Sequence, residues 1–254
     1  MNNISELAEA VDEAARHARP IDQLSHAHNF SVDEAYAIQA ASIERRYARG
    51  ERLIGLKMGF TSKAKMEQMG VHDMIWGRLT DAMLLENGGA WSFDRGIHPR
   101  AEPEICFLVR KKIDRALTAA EARDYIGAVA PAIEIIDSRY RNFKFSLEDV
   151  IADNCSSAGF VVGAWQSAEQ PLDDLSIVLE IDDSTVQTGS TAAILGDPWA
   201  SVAAATRLAA QYGQEIPEGA YLMAGAATEA VYLAKGQRVR AVVEALGEVS
   251  FVVA

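Results

Sequence analysis

What the sequence is short of narrows its class before any motif is read. It has only two cysteines, Cys106 and Cys155. They lack CxxC spacing and sit among apolar or small residues, which argues against a disulfide framework or a zinc site and makes both reduced packing residues. Basic charge is scarce as well: 24 Lys and Arg stand against 36 Asp and Glu, a net charge of −12. A partner held through a phosphate backbone needs a basic surface, so nucleic acid is excluded. An anionic substrate would need a bound cation or a local basic cluster to overcome that field. No run approaches the ~18 apolar residues of a membrane helix, and the first residues contain no basic stretch leading into an apolar core. The expectation is a cytoplasmic protein with no membrane partner. Internal repeats and low-complexity tracts are also lacking.

What remains is the composition of a globular protein, 49% hydrophobic, enough for one large domain or one domain with an appendage. Ile4, Leu7, Ala8, Val11, Ala14 and Ala15 recur at helical spacing, with Arg16 and His17 late in the run, where the helix dipole favours them, and Pro20 as its stop. Ser31 followed by Glu34 is a capping box that opens a second helix running to Arg49 and ending at Gly50. These helices define an N-terminal helical cap, residues 1–50. From Leu53 short apolar runs alternate with Gly, Asn and Asp, which predicts a β-rich catalytic body over 51–254. Within it, helices are expected over 63–69 (capped by Thr61 or Ser62, stopped by Gly70), 117–128 (Thr118 capping, Glu121 three residues on) and 198–211. Strands are expected over 177–181 and 241–253, with turns at 86–89 and Asp182-Asp183. His17, His26 and His28 have no acid or cysteine at ligand spacing and read as surface or capping residues; His72 and His98 read as structural.

The chemistry concentrates in His98-Pro-Arg-Ala-Glu-Pro-Glu104. Successive side chains of a strand point to opposite faces, so Glu102 and Glu104 emerge on the same one. A third acid, Glu134, interrupts the apolar run 128–136, where an unpaired charge is costly. Pro103 removes a ladder donor and marks a strand start or edge. A bare Glu-x-Glu fits a solvated strand face; a hard divalent cation such as Mg²⁺ or Mn²⁺, which prefers carboxylate oxygen, accounts for all three acids together. Lys57 lies in the apolar run 54–60. There it either snorkels to solvent, as its neighbours favour, or is held by an acid as a group able to move a proton. Arg139 is the cation best placed to reach an acid or an anionic substrate. Asp153, Asn154, Ser156 and Ser157 form a polar knot between apolar stretches, either a buried turn or a site. Residues 221–228 read as a strand entering a small-residue loop, where a backbone can approach a ligand closely.

Taken together, Gly55-Leu-Lys-Met-Gly-Phe-Thr-Ser62, Lys65-Met-Glu-Gln-Met-Gly-Val71, His98-Pro-Arg-Ala-Glu-Pro-Glu104 and Asp137-Ser-Arg-Tyr-Arg-Asn-Phe-Lys-Phe145 continuing to Ala152-Asp-Asn154 carry a resemblance over nearly the whole chain. The sequence resembles the hydratase/decarboxylase family of the fumarylacetoacetate hydrolase superfamily, bacterial enzymes of meta-cleavage degradation of aromatic compounds. The resemblance implies an α+β fold, a mixed β-sheet roll with a small N-terminal helical region. It implies a Mg²⁺ or Mn²⁺ ion on Glu102, Glu104 and Glu134, and Lys57 as the proton-transfer residue. It implies a small 2-oxo dicarboxylic acid as substrate, a homo-oligomer, and association with a related hydratase. Substrate contacts are assigned to Leu79, Arg139, Ser156 and Thr228, although the polar Arg139, Ser156 and Thr228, like Asn154, serve equally as hydrogen-bonding residues of a core.

Two reactions share this chemistry: decarboxylation of 4-oxalocrotonate (2-oxo-3-hexenedioate), the work of a carbon–carbon lyase, and hydration of 2-hydroxypenta-2,4-dienoate. The family's hydratases carry an aspartate just before the aromatic-glycine pair that is Trp76-Gly77 here, and this chain has Ile75. Lacking an acid to orient or deprotonate water, it falls with the decarboxylases. A third reading, a non-catalytic scaffold, conflicts with intact Lys57 and acids. The sequence departs from the family at Gly196-Asp197-Pro198, where Gly-His-Pro is usual, at Ala224-Gly225-Ala226 in place of a Thr-Gly-Gly-like loop, and at Tyr232 where proline is common. These departures are expected to bear on the distal pocket, and so on which 2-oxo diacid is used.

Overall fold

A computed structural model describes residues 3–61 and 73–254; the helix expected over 63–69, with Ser62, Gly70 and His72, lies outside the described residues. Two helices open the chain, α1 (Ile4–Arg16) and α2 (Val32–Ala48). The Ser31/Glu34 capping box forms as the sequence predicts, each side chain bonding the other's backbone N–H. The helices are clamped together by Asp12 of α1, whose carboxylate accepts from Arg45 Nε at 3.0 Å and from Arg49 Nη1 and Nη2 at 2.7 and 2.6 Å. Burial by itself would raise the Asp12 pKa, but the hydrogen bonds and charges of Arg49 and Arg45 outweigh it and hold the group below its ordinary range. The apolar faces of both helices enter the same core cluster as Leu56, Phe107 and Val129 of the strands.

The strands are β1 (Leu53–Gly59), β2 (Ile75–Thr80), β3 (Leu84–Leu85), β4 (Ala90–Trp91), β5 (Arg100–Val109), β6 (Ile126–Ile136), β7 (Ser157–Val162), β8 (Gln166–Ser167), β9 (Ser176–Ile181), β10 (Ser184–Ser190), β11 (Tyr221–Met223), β12 (Val231–Tyr232), β13 (Arg238–Val243) and β14 (Gly247–Val253). The larger sheet runs β2-β1-β11-β5-β6-β7-β3, with β12 also beside β5 and β8 beside β6; the smaller runs β10-β9-β13-β14-β4. Both are mixed, with parallel pairs β1/β11, β3/β7 and β4/β14 among antiparallel ones. The sheets pack face to face through Ile133, Ile135 and Val161 of one and Leu179, Val239 and Phe251 of the other. This is the mixed-sheet α+β architecture that the resemblance implies. The expected turn at 86–89 does more than join two strands, since it carries the chain from β3 in one sheet to β4 in the other. Among the described residues no helix is long and apolar enough to cross a membrane.

Three elements differ from expectation. The 117–128 helix shrinks to α3 (Ala119–Ala122): Thr118 and Glu121 form their capping box, but Ile126 already pairs with Val109, and the β5–β6 ladder overrides the local helical preference. The 241–253 strand is a hairpin, β13 and β14, folded back through Ala245 at φ 61° and Gly247 at φ 102°. Pro103 is at neither a start nor an edge. It lies inside β5, in the gap where β11 has ended and β12 has not begun, and there the loop supplies the donor, Ala227 N to Pro103 O at 3.0 Å. A residue without an N–H costs nothing on a side that asks it only to accept. The helix over 198–211 appears as predicted, as α5 (Pro198–Gln211), with Asp197 accepting from Trp199 N at 2.9 Å.

Asp12→Ala is expected to destabilise the protein by about 1–2 kcal/mol, because Arg45 and Arg49 are each about a third exposed and can return to water. The Asp12 contribution is complete above its unfolded pKa of about 4 and is lost as pH falls through the lowered folded value. Urea titrations of wild type and variant at pH 7 and pH 3 measure both effects: the gap closes at the lower pH.

Candidate active site

One face of the larger sheet gathers like charges. Glu102 on β5 stands directly opposite Glu134 on β6, and opposed residues of an antiparallel pair share a face. Glu104, two residues along, joins them. The three are 7%, 0% and 0% exposed, and one carboxylate oxygen of each lies within 4.8 Å of the others. Such a cluster is very unfavourable unless compensated. Lys57 on β1 supplies part of the compensation: its Nζ is 2.9 Å from Glu134 Oε2 and donates to the Cys155 carbonyl at 3.0 Å. Gly225 N donates to Glu104 Oε2 at 2.8 Å. Among the described residues, Glu104 Oε1 and Glu134 Oε1 remain buried with no hydrogen-bond partner.

The titration behaviour follows from this imbalance. Burial drives the pKa of Glu104 well above the carboxylate range, and the charge of Glu134 adds to it. Glu134 is raised too, chiefly by burial, with Lys57 pulling against it. Burial lowers the Lys57 pKa, but the surrounding acids, Glu134 foremost, outweigh it and keep the group an ammonium. The tendency of this lysine to snorkel is overridden: it is 3% exposed, because its partner is inside. Among the described residues three carboxylates face one ammonium, an excess of negative charge that a divalent ion could offset, with the unpartnered oxygens of Glu104 and Glu134 among its donors.

Backbone geometry makes the close approaches possible. A Cβ on Gly77 would meet Asn154 O at 2.7 Å and Lys57 Cδ at 3.2 Å, so only glycine lets the lysine lie across β2. Gly225 adopts φ 104°, and a Cβ there would strike Thr61 Oγ1 at 2.2 Å; this conformation aims its N–H at Glu104. The polar knot is both a buried turn and part of the site. After α4 (Leu147–Ala152), residues Asn154, Cys155 and Ser156 take left-handed φ values of 48°, 52° and 59°, turning the Cys155 carbonyl onto Lys57. Consecutive non-glycine residues rarely hold this conformation without tertiary support. Here Asn154 supplies it, exchanging 2.8 Å hydrogen bonds with the backbone N and O of Arg78 on β2.

A cavity of about 530 Å³ opens beside the acids, lined by Lys57, Glu102, Phe60, Ile75, Ser156 and Arg100 among others. Of the residues singled out in the sequence, Lys57, Ile75, Glu102 and Ser156 therefore meet at one cavity, with Glu104 and Glu134 behind them. The Ser156 hydroxyl is buried and has no hydrogen-bond partner among the described residues. Leu79, Arg139 and Thr228 do not line this cavity. Leu79 is packed with Met83 and Cys106 in the core. Arg139 is consumed by Asp153, pairing with its carboxylate through Nε while the Arg139 backbone N donates to the same carboxylate at 3.0 Å; Arg139 lines a second cavity instead. The Thr228 hydroxyl bonds the Glu229 carbonyl at 3.0 Å. Burial raises the Asp153 pKa to about 6 despite Arg139. Of the divergent positions, Ala226 lines the cavity, while Asp197 caps α5. Arg100 also lines the cavity, and the sequence signal for it is its spacing of two from Glu102.

The fumarylacetoacetate (FAA) hydrolase C-terminal family matches residues 80–254, and the chain belongs to that family. Over 248 residues, 98% of this chain and 97% of the other, it is 52% identical to a 4-oxalocrotonate decarboxylase of Pseudomonas sp.. A 2-hydroxypent-2,4-dienoate hydratase of Pseudomonas putida is 36% identical over 200 residues, 77% of this chain and 90% of that protein. The structure superposes on the 4-oxalocrotonate decarboxylase of Pseudomonas putida G7, complexed with magnesium and adipate, with a TM-score of 0.95 at 36% identity, covering 99% and 97% of the two chains.

Millimolar Mg²⁺ is expected to raise the melting temperature of chelator-stripped protein. At about 100 times the dissociation constant the stabilisation is about 2.7 kcal/mol, roughly 5–10 °C for a chain of this size. Differential scanning calorimetry with and without Mg²⁺ reads the shift, and Glu104→Gln is expected to abolish it.

Proposed function

We propose that this chain is a metal-dependent decarboxylase of 4-oxalocrotonate (2-oxo-3-hexenedioate), a carbon–carbon lyase producing 2-hydroxypenta-2,4-dienoate and CO₂. The observation that carries the reading is the make-up of one cavity. It joins a buried carboxylate triad and Lys57 to a wall that is apolar at Ile75, itself 4% exposed. That site suits the 2-oxo acid end of the substrate and offers no acid at Ile75 to activate water, as hydration would require.

Mg²⁺ or Mn²⁺ fits the donors present, which are hard carboxylate oxygens with unsatisfied lone pairs. Glu102, Glu104 and Glu134 would hold it. When bound, the ion supplies a Lewis acid for the carboxylate and 2-oxo oxygens of the substrate. The bond that breaks joins the distal carboxylate to its neighbouring carbon. Its electron pair runs through the conjugated chain to the 2-oxo oxygen, which takes a proton, and CO₂ departs. Lys57 Nζ is the buried donor that gives this proton. Phe60, Ile75, Phe145 and Val150 keep water from the electron-rich chain. Self-association, and association with a hydratase that consumes the dienol, belong to the same reading.

Incubation with 4-oxalocrotonate and Mg²⁺ is expected to release one CO₂ per substrate, and thorough chelation to abolish it; turnover in chelator would overturn the reading. Lys57→Met should lower kcat by about 10²–10⁴-fold, the usual worth of a positioned acid. With 2-hydroxypenta-2,4-dienoate the wild type should give no hydration product.

A further inference from the structure

Arg100 and Lys144 line the cavity with no role so far, and of the two Arg100 is the one held in place by its neighbours. It begins β5, two residues before Glu102 and four before Glu104, so the three side chains leave the strand on one face. Its guanidinium carbon stands 3.9 Å from the Phe143 ring centroid and 4.1 Å from that of Tyr232, its cross-strand partner on β12. Tyr232 fixes it further, with Arg100 Nη2 and the phenol oxygen 2.5 Å apart. Both rings lie against the guanidinium and restrict it, while its hydrogen-bonding edge remains able to donate. On that edge Nε is buried with no hydrogen-bond partner, and Arg100 makes no salt bridge with an acid among the described residues. The clamp is maintained at a cost: Phe143 holds φ 56° and its neighbour Asn142 φ 61°, a conformation that bulky side chains avoid.

In a chain of net charge −12, whose other arginines largely meet acids, a stacked guanidinium in a cavity whose Nε has no hydrogen-bond partner among the described residues suits a carboxylate. Its distance from the acids suits a diacid. Successive same-face positions are about 7 Å apart along a strand, the scale of a six-carbon chain between its two carboxylates. We propose that Arg100, held between Phe143 and Tyr232, binds the substrate carboxylate remote from the acid cluster and makes the cavity selective for 2-oxo diacids over 2-oxo monoacids. This inference rests on the preceding reading, in which the acid cluster receives the 2-oxo acid end. It also gives Tyr232 a role.

The contact has a distinctive kinetic signature. Arg100 meets the carboxylate that leaves as neutral CO₂, so the interaction belongs to the bound substrate and weakens as the carbon–carbon bond breaks. Its loss therefore raises KM, while kcat holds or rises.

The test compares wild type, Arg100→Met and Tyr232→Phe, each loaded with Mg²⁺. Calorimetry measures the binding of adipate, a diacid, and of 2-oxobutanoate, which lacks the second carboxylate. Arg100→Met is expected to weaken adipate binding by roughly 10- to 100-fold, the worth of a charge-assisted bidentate contact, with 2-oxobutanoate unchanged within about 2-fold. KM for 4-oxalocrotonate should rise in parallel while kcat holds or rises. Tyr232→Phe, which keeps the ring and removes the hydroxyl, should shift adipate binding in the same direction by a smaller factor, and it keeps the test decisive should the arginine variant fail to fold. Equal weakening of both ligands, or no change in either, overturns the proposal. Absence of CO₂ release by the wild type would overturn the decarboxylase reading while leaving the diacid-against-monoacid comparison to be read separately.

Discussion

The fold is arranged around an ion pair that a protein interior does not ordinarily tolerate. Lys57 and Glu134 are 2.9 Å apart and almost wholly buried, with two further carboxylates sharing their surroundings. Removing charge from water costs several kcal/mol per ion, and among the described residues one ammonium faces three carboxylates. The interior must therefore supply donors, close approaches and a place for further positive charge. The positions of Gly77, Gly225 and the left-handed turn at 154–156 make sense only against that demand.

A second layer of buried polar contacts holds those parts still. Asp137 accepts from the backbone N of Ile97 and His98 at 2.9 and 2.8 Å, fixing the chain as it enters β5. Arg139 and Asp153 lock the segment before the turn, and Asn154 ties the turn to β2. Asp149 caps α4 and also accepts from Ser25 N and Oγ at 3.0 and 2.6 Å, tying that helix to the N-terminal region. These contacts act in low dielectric, where a satisfied network is rigid and a broken one is costly. Exposed pairs such as Arg52–Asp81 and Arg141–Asp22 carry little weight beside them.

The position of the acids explains why the larger sheet is interrupted. β11 and β12 flank β5 at its two ends, and the loop between them bonds the stretch around Pro103 and delivers Gly225 to Glu104. A continuous strand there would have completed the ladder. It would also have placed a side chain where a backbone N–H now reaches a carboxylate.

Local features were legible in the sequence where short-range physics decides them. The capping boxes at Ser31 and Thr118 and the shared face of Glu102 and Glu104 depend on residues a few positions apart, whose spacing sets their geometry in any helix or strand. Glu134 could be read as a buried acid because its apolar neighbours exclude water. What lay beyond the sequence was every outcome that depends on a distant partner. The β5–β6 ladder shortened the helix after Thr118, and the gap between β11 and β12 turned Pro103 from an edge marker into an interior residue. Lys57 snorkels only if nothing inside attracts it, and Glu134, far along the chain, does. Arg139 reads as a free cation until the fold sets Asp153 beside it, while Arg100 becomes a candidate receptor because Phe143 and Tyr232 close over it. The residue types and their spacing determined which chemistry was available. The tertiary structure decided which charges are paired and which are left to meet a ligand, because electrostatic energy depends on distance and burial, and neither is fixed until the strands are in register.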